Sequence, residues 1–415
     1  MLTTLFKSPA RVRELRDSCA GPLLEGFAYE LCQIRYAEKT AREHIRAAEH
    51  FIYWIDRRAI TLATLNDSYI DGFGRHLVHG CRCPGYRWRP WINLQNGARL
   101  FLRYLRGAGV VTSPVSAQMR EEPVLLTAFQ QWMEQQRRTT AATLQNYSRP
   151  IRDLLKSVGD PSRFDALKLR RFVLERSKQS GWGRAKTCTT AVRAFLRFLI
   201  AEGKCPIGLD ASIPALAHWS LSSLPRYLQS EDVERVIASC DRATPIGRRD
   251  RAILLLLARL GFRAGDIVGL TLEDIDWQHA WIHVSGKGRR QTRFPMTQEV
   301  GDAIAAYLQD GRRWAFIDRL FLRSHAPFRA LSSHSAVSSI VARAIRRAAV
   351  KCPSRGAAHV LRHSVASSML RQGASLQEIS VILRHRSTQT TEIYAKVNVN
   401  SLGMIIQPWP EVEPC

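Results

Sequence analysis

Apolar residues recur at helical spacing along most of this chain. Leu23, Leu24, Phe27 and Leu31 form one stripe, and Ile45, Ala48, Phe51, Ile52 and Ile55 form a second. Asn66-Asp67-Ser68 offers a cap for a third helix, and residues 97–105, rich in arginine and aromatics, give a fourth. Residues 1–21 read as a short basic lead-in. Further on, Pro206, Gly208, Pro214 and Pro225 interrupt any helix, so 206–225 reads as a linker. Beyond it the spacing predicts a helix over 231–239 capped by Ser230, and an apolar helix over 249–260 stopped by Gly261. Strand alternation occurs in Trp281-Ile282-His283-Val284, with a tight turn at Gly286-Lys287-Gly288 and a return over 291–295. A helix through Ser364 breaks at Gly373, and Ser375 with Glu378 makes a capping box for a last helix striped by Leu376, Ile379 and Leu383. The expected fold is mainly α, with one small antiparallel β-sheet.

The helical layout occurs twice. L-L-x-x-F stands at 23–27 and again at 125–129. G-A-R-L-F-L-R-Y-L-R-G-A-G at 97–109 aligns with A-V-R-A-F-L-R-F-L-I-A-E-G at 191–203, pairing Arg99 with Arg193, Phe101 with Phe195 and Arg103 with Arg197. Two copies of a four-helix unit are expected, at 22–110 and 120–205. The arginines of each copy lie four apart beside an aromatic stripe. They read equally as a phosphate-facing ridge or as solvated outer-face side chains.

With 415 residues the chain is long enough for two or three domains. Its net charge is +25, from 61 Lys and Arg against 36 Asp and Glu, and its pI is near 10.4. That balance favours a polyanion as partner. Nucleic acid fits better than a membrane, because the charge is spread along the chain and not gathered beside an apolar anchor. The longest apolar run, 252–258, is too short to span a bilayer, and no apolar signal core opens the sequence. Nine scattered cysteines read as free thiols of a reducing compartment, so a cytoplasmic, nucleoid-associated protein is expected. His76, His79, Cys81 and Cys83 could supply four metal ligands, but Cys-x-Cys is tighter than a zinc knuckle and no second pair follows. The reading taken is a helix end and loop, with no metal and no cofactor.

Chemistry concentrates at 358–396, in A-H-V-L-R-H-S and then L-R-H-R-S-T-Q-T-T-E-I-Y-A-K. His359 and Arg362 are three apart and share a helix face. His385 sits at a helix exit, and Tyr394 follows after a Thr-rich stretch. This order of His-x-x-Arg, His and Tyr resembles the tyrosine recombinase (phage integrase) family. G-F-R-A-G-D-I-V-G-L at 261–270 resembles the family's first box, which makes Arg263 the other catalytic arginine, with Asp266 free to pair with it or hold the turn. The hairpin resembles the one whose tip lysine reaches the scissile phosphate. Lys287 is the only lysine between Lys204 and Lys351, and lysine, unlike arginine, can release a proton near neutrality.

The resemblance implies double-stranded DNA as partner, a core-binding domain at 120–205, a catalytic domain at 226–400 and a tail at 401–415. It also implies a homo-tetramer on paired sites, with or without sister recombinases, and a mobile-element role. In the implied reaction Tyr394 attacks a phosphodiester to leave a 3′-phosphotyrosyl enzyme and a free 5′-hydroxyl. Arg263 and Arg362 clamp the phosphate, and His385 donates to it. His359 accepts the tyrosine proton or orients the phosphate, Lys287 protonates the leaving oxygen, and His363 is structural. Arg99, Arg103, Arg193, Arg197, Arg289 and Arg290 are expected to contact DNA. The tail would pack on its own chain or on a neighbour. A type IB topoisomerase-like enzyme and a catalytically silent DNA-binding regulator are the alternatives.

Overall fold

The computed structural model describes residues 1–18, 20–79, 81–86, 91–111, 123–216, 224–285, 291–313, 315–354, 356–385 and 387–397. The chain divides into two compact units: residues 1–61, 72–111 and 220–415, and residues 62–71 and 112–219.

The first six helices are α1 (Leu2–Leu5), α2 (Pro9–Asp17), α3 (Gly21–Gln33), α4 (Glu38–Asp56), α5 (Asp67–Val78) and α6 (Trp91–Gly107). The lead-in is folded. Leu2, Leu5, Val12 and Leu15 are buried, and Ser8 caps α2 through the Arg11 amide. Both predicted stripes face inward, on α3 and α4. The side-chain oxygen of Asn66 accepts the Ser68 amide at 2.9 Å, so the expected cap opens α5. α4 and α6 cross closely at Gly97, where a Cβ would lie 2.4 Å from that of Ala47.

The second unit carries α7 (Val124–Arg137), α8 (Ala141–Val158), α9 (Ala166–Gln179) and α10 (Trp182–Ala201), followed by a 3₁₀ turn at Leu209–Ser212. Its core reproduces a pair seen in the first helices. Phe27 meets Phe101 edge-on at 5.2 Å, and Phe129 meets Phe195 edge-on at 5.4 Å.

From Ser230 the chain forms α11 (Ser230–Ala238), α12 (Pro245–Leu260), α13 (Ala264–Gly269), β1 (Ile275–Asp276), β2 (Trp281–Ser285), β3 (Gln291–Pro295), α14 (Gln298–Asp310), α15 (His334–Arg347), α16 (Ala357–Arg371) and α17 (Leu376–Ile382). Two 3₁₀ segments follow, Thr388–Thr390 and Glu392–Val397. Ser230 is the first helical residue of α11 and not its cap, which is Gln229. α12 starts earlier than its apolar run because the Thr244 hydroxyl accepts the Gly247 amide at 3.1 Å. Residues 252–257 of that run are wholly buried, which accounts for its unbroken apolarity. The sheet is antiparallel in the order β1-β2-β3, with Ile282 opposite Phe294 and Val284 opposite Thr292. The hairpin turn, 286–290, lies outside the described residues and with it Lys287, Arg289 and Arg290; so does the tail beyond 397.

Candidate active site

Gly261 ends α12 in the left-handed region, at φ 61°. A Cβ there would lie 2.8 Å from a methyl of Leu383, so the turn needs glycine both for its backbone angle and for the approach of α17. The chain then extends through Arg263 and enters α13. The Arg263 amide donates to Asp266 Oδ2 at 2.9 Å, while the Asp266 amide donates to the Arg263 carbonyl at 2.9 Å. Of the two uses open to Asp266, holding the turn is the one adopted. Its ion pair goes to Arg384, whose backbone is left-handed at φ 51° and whose guanidinium lies over the Phe294 ring at 5.2 Å. Asp266 thus ties the first box to the last helix exit.

Both predicted phosphate-binding arginines converge at that exit. Arg362, on α16, is 4% exposed and donates to the Gly261 and Leu383 carbonyls. Arg263 Nη2 donates to the same Leu383 carbonyl at 3.1 Å and to that of Arg384 at 2.6 Å. Two guanidiniums therefore share one backbone oxygen. Among the described residues Arg263 uses only Nη2 in side-chain hydrogen bonds, leaving Nε and Nη1 as open donors. Burial, with the nearby Arg263 charge, lowers the Arg362 guanidinium to about 10, still fully charged at neutral pH.

Tyr394 is 1% exposed and packs in cis against Ala366, Leu370, Ile379 and Leu383. Its hydroxyl lies 2.7 Å from His363 Nδ1. Burial pushes the phenol up to about 12, opposed by the Arg362 charge. His363 is pushed down to about 4 by burial and by the charges of His359 and Arg362, so at neutral pH it is an uncharged hydrogen-bond partner. His385 is likewise lowered to about 4, by burial and then Arg362 and Arg263, and its Nδ1 lies 2.7 Å from the buried Thr391 hydroxyl. That bond fixes the imidazole ring just after Arg384.

Of the two roles open to His359, contact with the tyrosine is not the one seen. His359 is exposed, and its ring centre stands 6.0 Å from that of His363, which is the histidine that meets the hydroxyl. The sequence carries no signal for this, because His359 and His363 are four apart and share one face of α16. The arginine ridges diverge as well. Arg99 and Arg103 are exposed on α6. Arg193 instead donates to the Ile213 carbonyl at 3.0 Å, and Arg197 pairs with Asp210 at 2.9 Å, so those two hold the 3₁₀ turn after α10.

The arrangement presents one buried and one half-buried cation, a fixed neutral imidazole and an aromatic hydroxyl in one cluster. Such a set can bind a tetrahedral anion and deliver a nucleophile to it. The sequence model of the phage integrase family matches residues 226–401. The protein y4rA of Sinorhizobium fredii (strain NGR234), described as an integrase/recombinase, is 36% identical over 391 residues, 92% of this chain and 93% of that one. The tyrosine recombinase XerD of Listeria monocytogenes is 26% identical and covers 66% of this chain and 94% of its own. Among solved structures, the recombinase XerH in a post-cleavage complex with a palindromic difH substrate shares the fold at TM-score 0.53, with 18% identity, over 81% of this chain and 94% of that one. A lambda integrase dimer bound to a COC′ core site gives TM-score 0.53 at 15% identity, over 78% of this chain and 89% of that one.

This chain belongs to the phage integrase family, the tyrosine recombinases. It is a DNA-binding enzyme that breaks and rejoins DNA through a phosphotyrosyl intermediate. None of its described helices is long and apolar enough to cross a membrane.

Proposed function

We propose that Arg263 and Arg362 bind the non-bridging oxygens of one DNA phosphate and that Tyr394 is its nucleophile. The observation that carries this is the shared Leu383 carbonyl: two guanidiniums already converge on one electronegative oxygen beside the residue that holds the tyrosine. A phosphate has more charge and more acceptor oxygens than a carbonyl, so forked donors turn towards it. His385, fixed through Thr391, adds a donor. Tyr394 Oη attacks phosphorus, the P–O5′ bond breaks, and the phosphate stays on the 3′ side joined to the tyrosine. The tyrosine proton passes to His363, or through it to the exposed His359. The departing 5′-oxygen takes a proton from Lys287. In joining, a 5′-hydroxyl attacks the phosphotyrosine and these transfers reverse.

The repeated edge-on pairs Phe27–Phe101 and Phe129–Phe195 support two copies of one helical unit, of which the second is the core-binding domain. The first is then the addition. This agrees with the third of the chain left unmatched by XerD, whose own length is almost fully covered. A first unit that takes in the folded helices α1 and α2 and runs to about residue 110, further limits of 120–205 and 226–400, action as a tetramer on paired sites, and service to a mobile element complete the reading. Exposed Arg99 and Arg103 remain the better phosphate contacts of the first unit.

A nicked suicide duplex built from the DNA flanking the gene tests the core of it. The full chain is expected to form a covalent protein–DNA adduct that survives denaturation, and Tyr394→Phe to bind the duplex without one. An adduct of undiminished yield in Tyr394→Phe would remove Tyr394 from the role.

A further inference from the structure

Four side chains from three parts of the N-terminal helices meet away from the catalytic site. His50 comes from the middle of α4, His76 from the last turn of α5, and Cys81 and Cys83 from the segment that follows. One ligand atom from each lies within 4.8 Å of every other. Cys81 Sγ is 3.4 Å from His50 Nε2, and Cys83 Sγ is 3.4 Å from His76 Nε2. Zinc bonds of about 2.3 Å to sulfur and about 2.0–2.1 Å to nitrogen, opened to a tetrahedral angle, set an S···N edge of about 3.6 Å. The two observed edges fit that figure.

The surroundings are built for these positions. His50 is wholly buried in the interior face of a helix, an uncommon place for an imidazole with no role. Tyr86 folds back to stack flat on its ring, with centroids 4.3 Å apart and planes 5° apart, so the cysteine segment is closed over it. Phe73 packs edge-on to His50 at 5.1 Å, and Trp54 flanks His76 at 6.1 Å. The Cys83 amide points at Cys81 Sγ at 3.5 Å, the kind of donor that steadies a metal-bound thiolate.

We infer that His50, His76, Cys81 and Cys83 bind one zinc ion in a Cys2His2 site. Four protein ligands close the coordination sphere, so the ion is structural and has no substrate position. It fastens the segment after α5 to the middle of α4. The ligand set differs from the one the spacing suggested: His79 is exposed, and its place is taken by His50, 26 residues before His76. A Cys-x-Cys pair lacks a second pair in the sequence, but here α4 supplies the missing ligand through the fold.

The test is metal content. Full-length chain made in zinc-supplemented medium and purified without chelator or nickel resin is expected to hold about one zinc per chain by elemental mass spectrometry. Cys81→Ser and Cys83→Ser are expected to lose at least about nine-tenths of it, and His79→Ala to keep it. Exchange with cobalt is expected to give the visible ligand-field and thiolate charge-transfer bands of a tetrahedral S2N2 site. This reads the wild-type chain alone and stays decisive if a cysteine variant does not fold. Wild-type chain with less than about a tenth of an equivalent of zinc and no tetrahedral cobalt spectrum would overturn the assignment, as would loss of zinc in His79→Ala equal to that in Cys81→Ser.

Discussion

The Tyr394 hydroxyl lies 2.7 Å from Nδ1 of His363, a residue 31 positions earlier on another helix. Tyr394, the proposed nucleophile, is thereby held against α16 with its ring buried, next to Arg362, the proposed phosphate ligand. Replacing His363 by Ala removes that partner and leaves a buried hydroxyl unsatisfied. We expect adduct formation on a suicide duplex to fall about 10²-fold, with His363→Gln losing less because the amide can still bond the phenol. Equal loss in both variants would point to ring packing in place of the hydrogen bond.

Acid should loosen this site before carboxylates alone would. His363 and His385 sit near 4 in the folded chain, against an ordinary value of about 6.5. Between those values the unfolded chain binds more protons than the folded one, so stability rises with pH across the window and is lost as pH falls from about 6.5 to about 4. Thermal melts over that range are expected to show a slope that is reduced in the double variant His363→Gln, His385→Gln. An unchanged slope would place the acid sensitivity in other groups.

Asp266 joins two motifs that lie 118 residues apart, accepting the Arg263 amide and pairing with Arg384, with both side chains about 10% exposed. Asp266→Ala leaves a nearly buried guanidinium without its counter-charge. A loss of about 3 kcal/mol in denaturant unfolding is expected, together with loss of cleavage. Asp266→Asn, which retains an acceptor for the amide, should lose less stability while still impairing cleavage. Wild-type unfolding in Asp266→Ala would show that the pair contributes nothing.

Arg362→Lys keeps one charge but cannot reach the Gly261 and Leu383 carbonyls together. Cleavage is expected to drop by about 10²-fold or more, while binding to an uncleaved duplex, measured by gel shift, changes far less. A proportionate loss of binding would make Arg362 a general DNA contact.

Much of this architecture is legible in the sequence. The capping box at Ser375 and Glu378, the left-handed glycines 261 and 373 and the α3 and α4 stripes are local rules, each carried by residues within one helical turn. Pairings across the fold were not readable. His363 and Arg362 are neighbours in sequence, and only the arrival of Tyr394 on one side of α16 tells which histidine it meets. His50 carries no motif, since its partners depend on how α4 lies beside α5. Arg193 and Arg99 occupy matching places in the repeat, yet the Ile213 carbonyl captures one while the other stays in solvent. The folded start of the chain is hard to read because its helices are only four and nine residues long, too short for a full periodic stripe, although Leu2, Leu5, Phe6, Val12 and Leu15 are buried.

The oxygen shared by Arg263 and Arg362 belongs to main chain. Any amino acid at position 383 would present that same atom, so a substitution scan would record only a demand for a greasy, well-fitting side chain. The electrostatic keystone would pass unseen, and an engineer tuning this enzyme would have to move it indirectly, by shifting where α17 comes to rest.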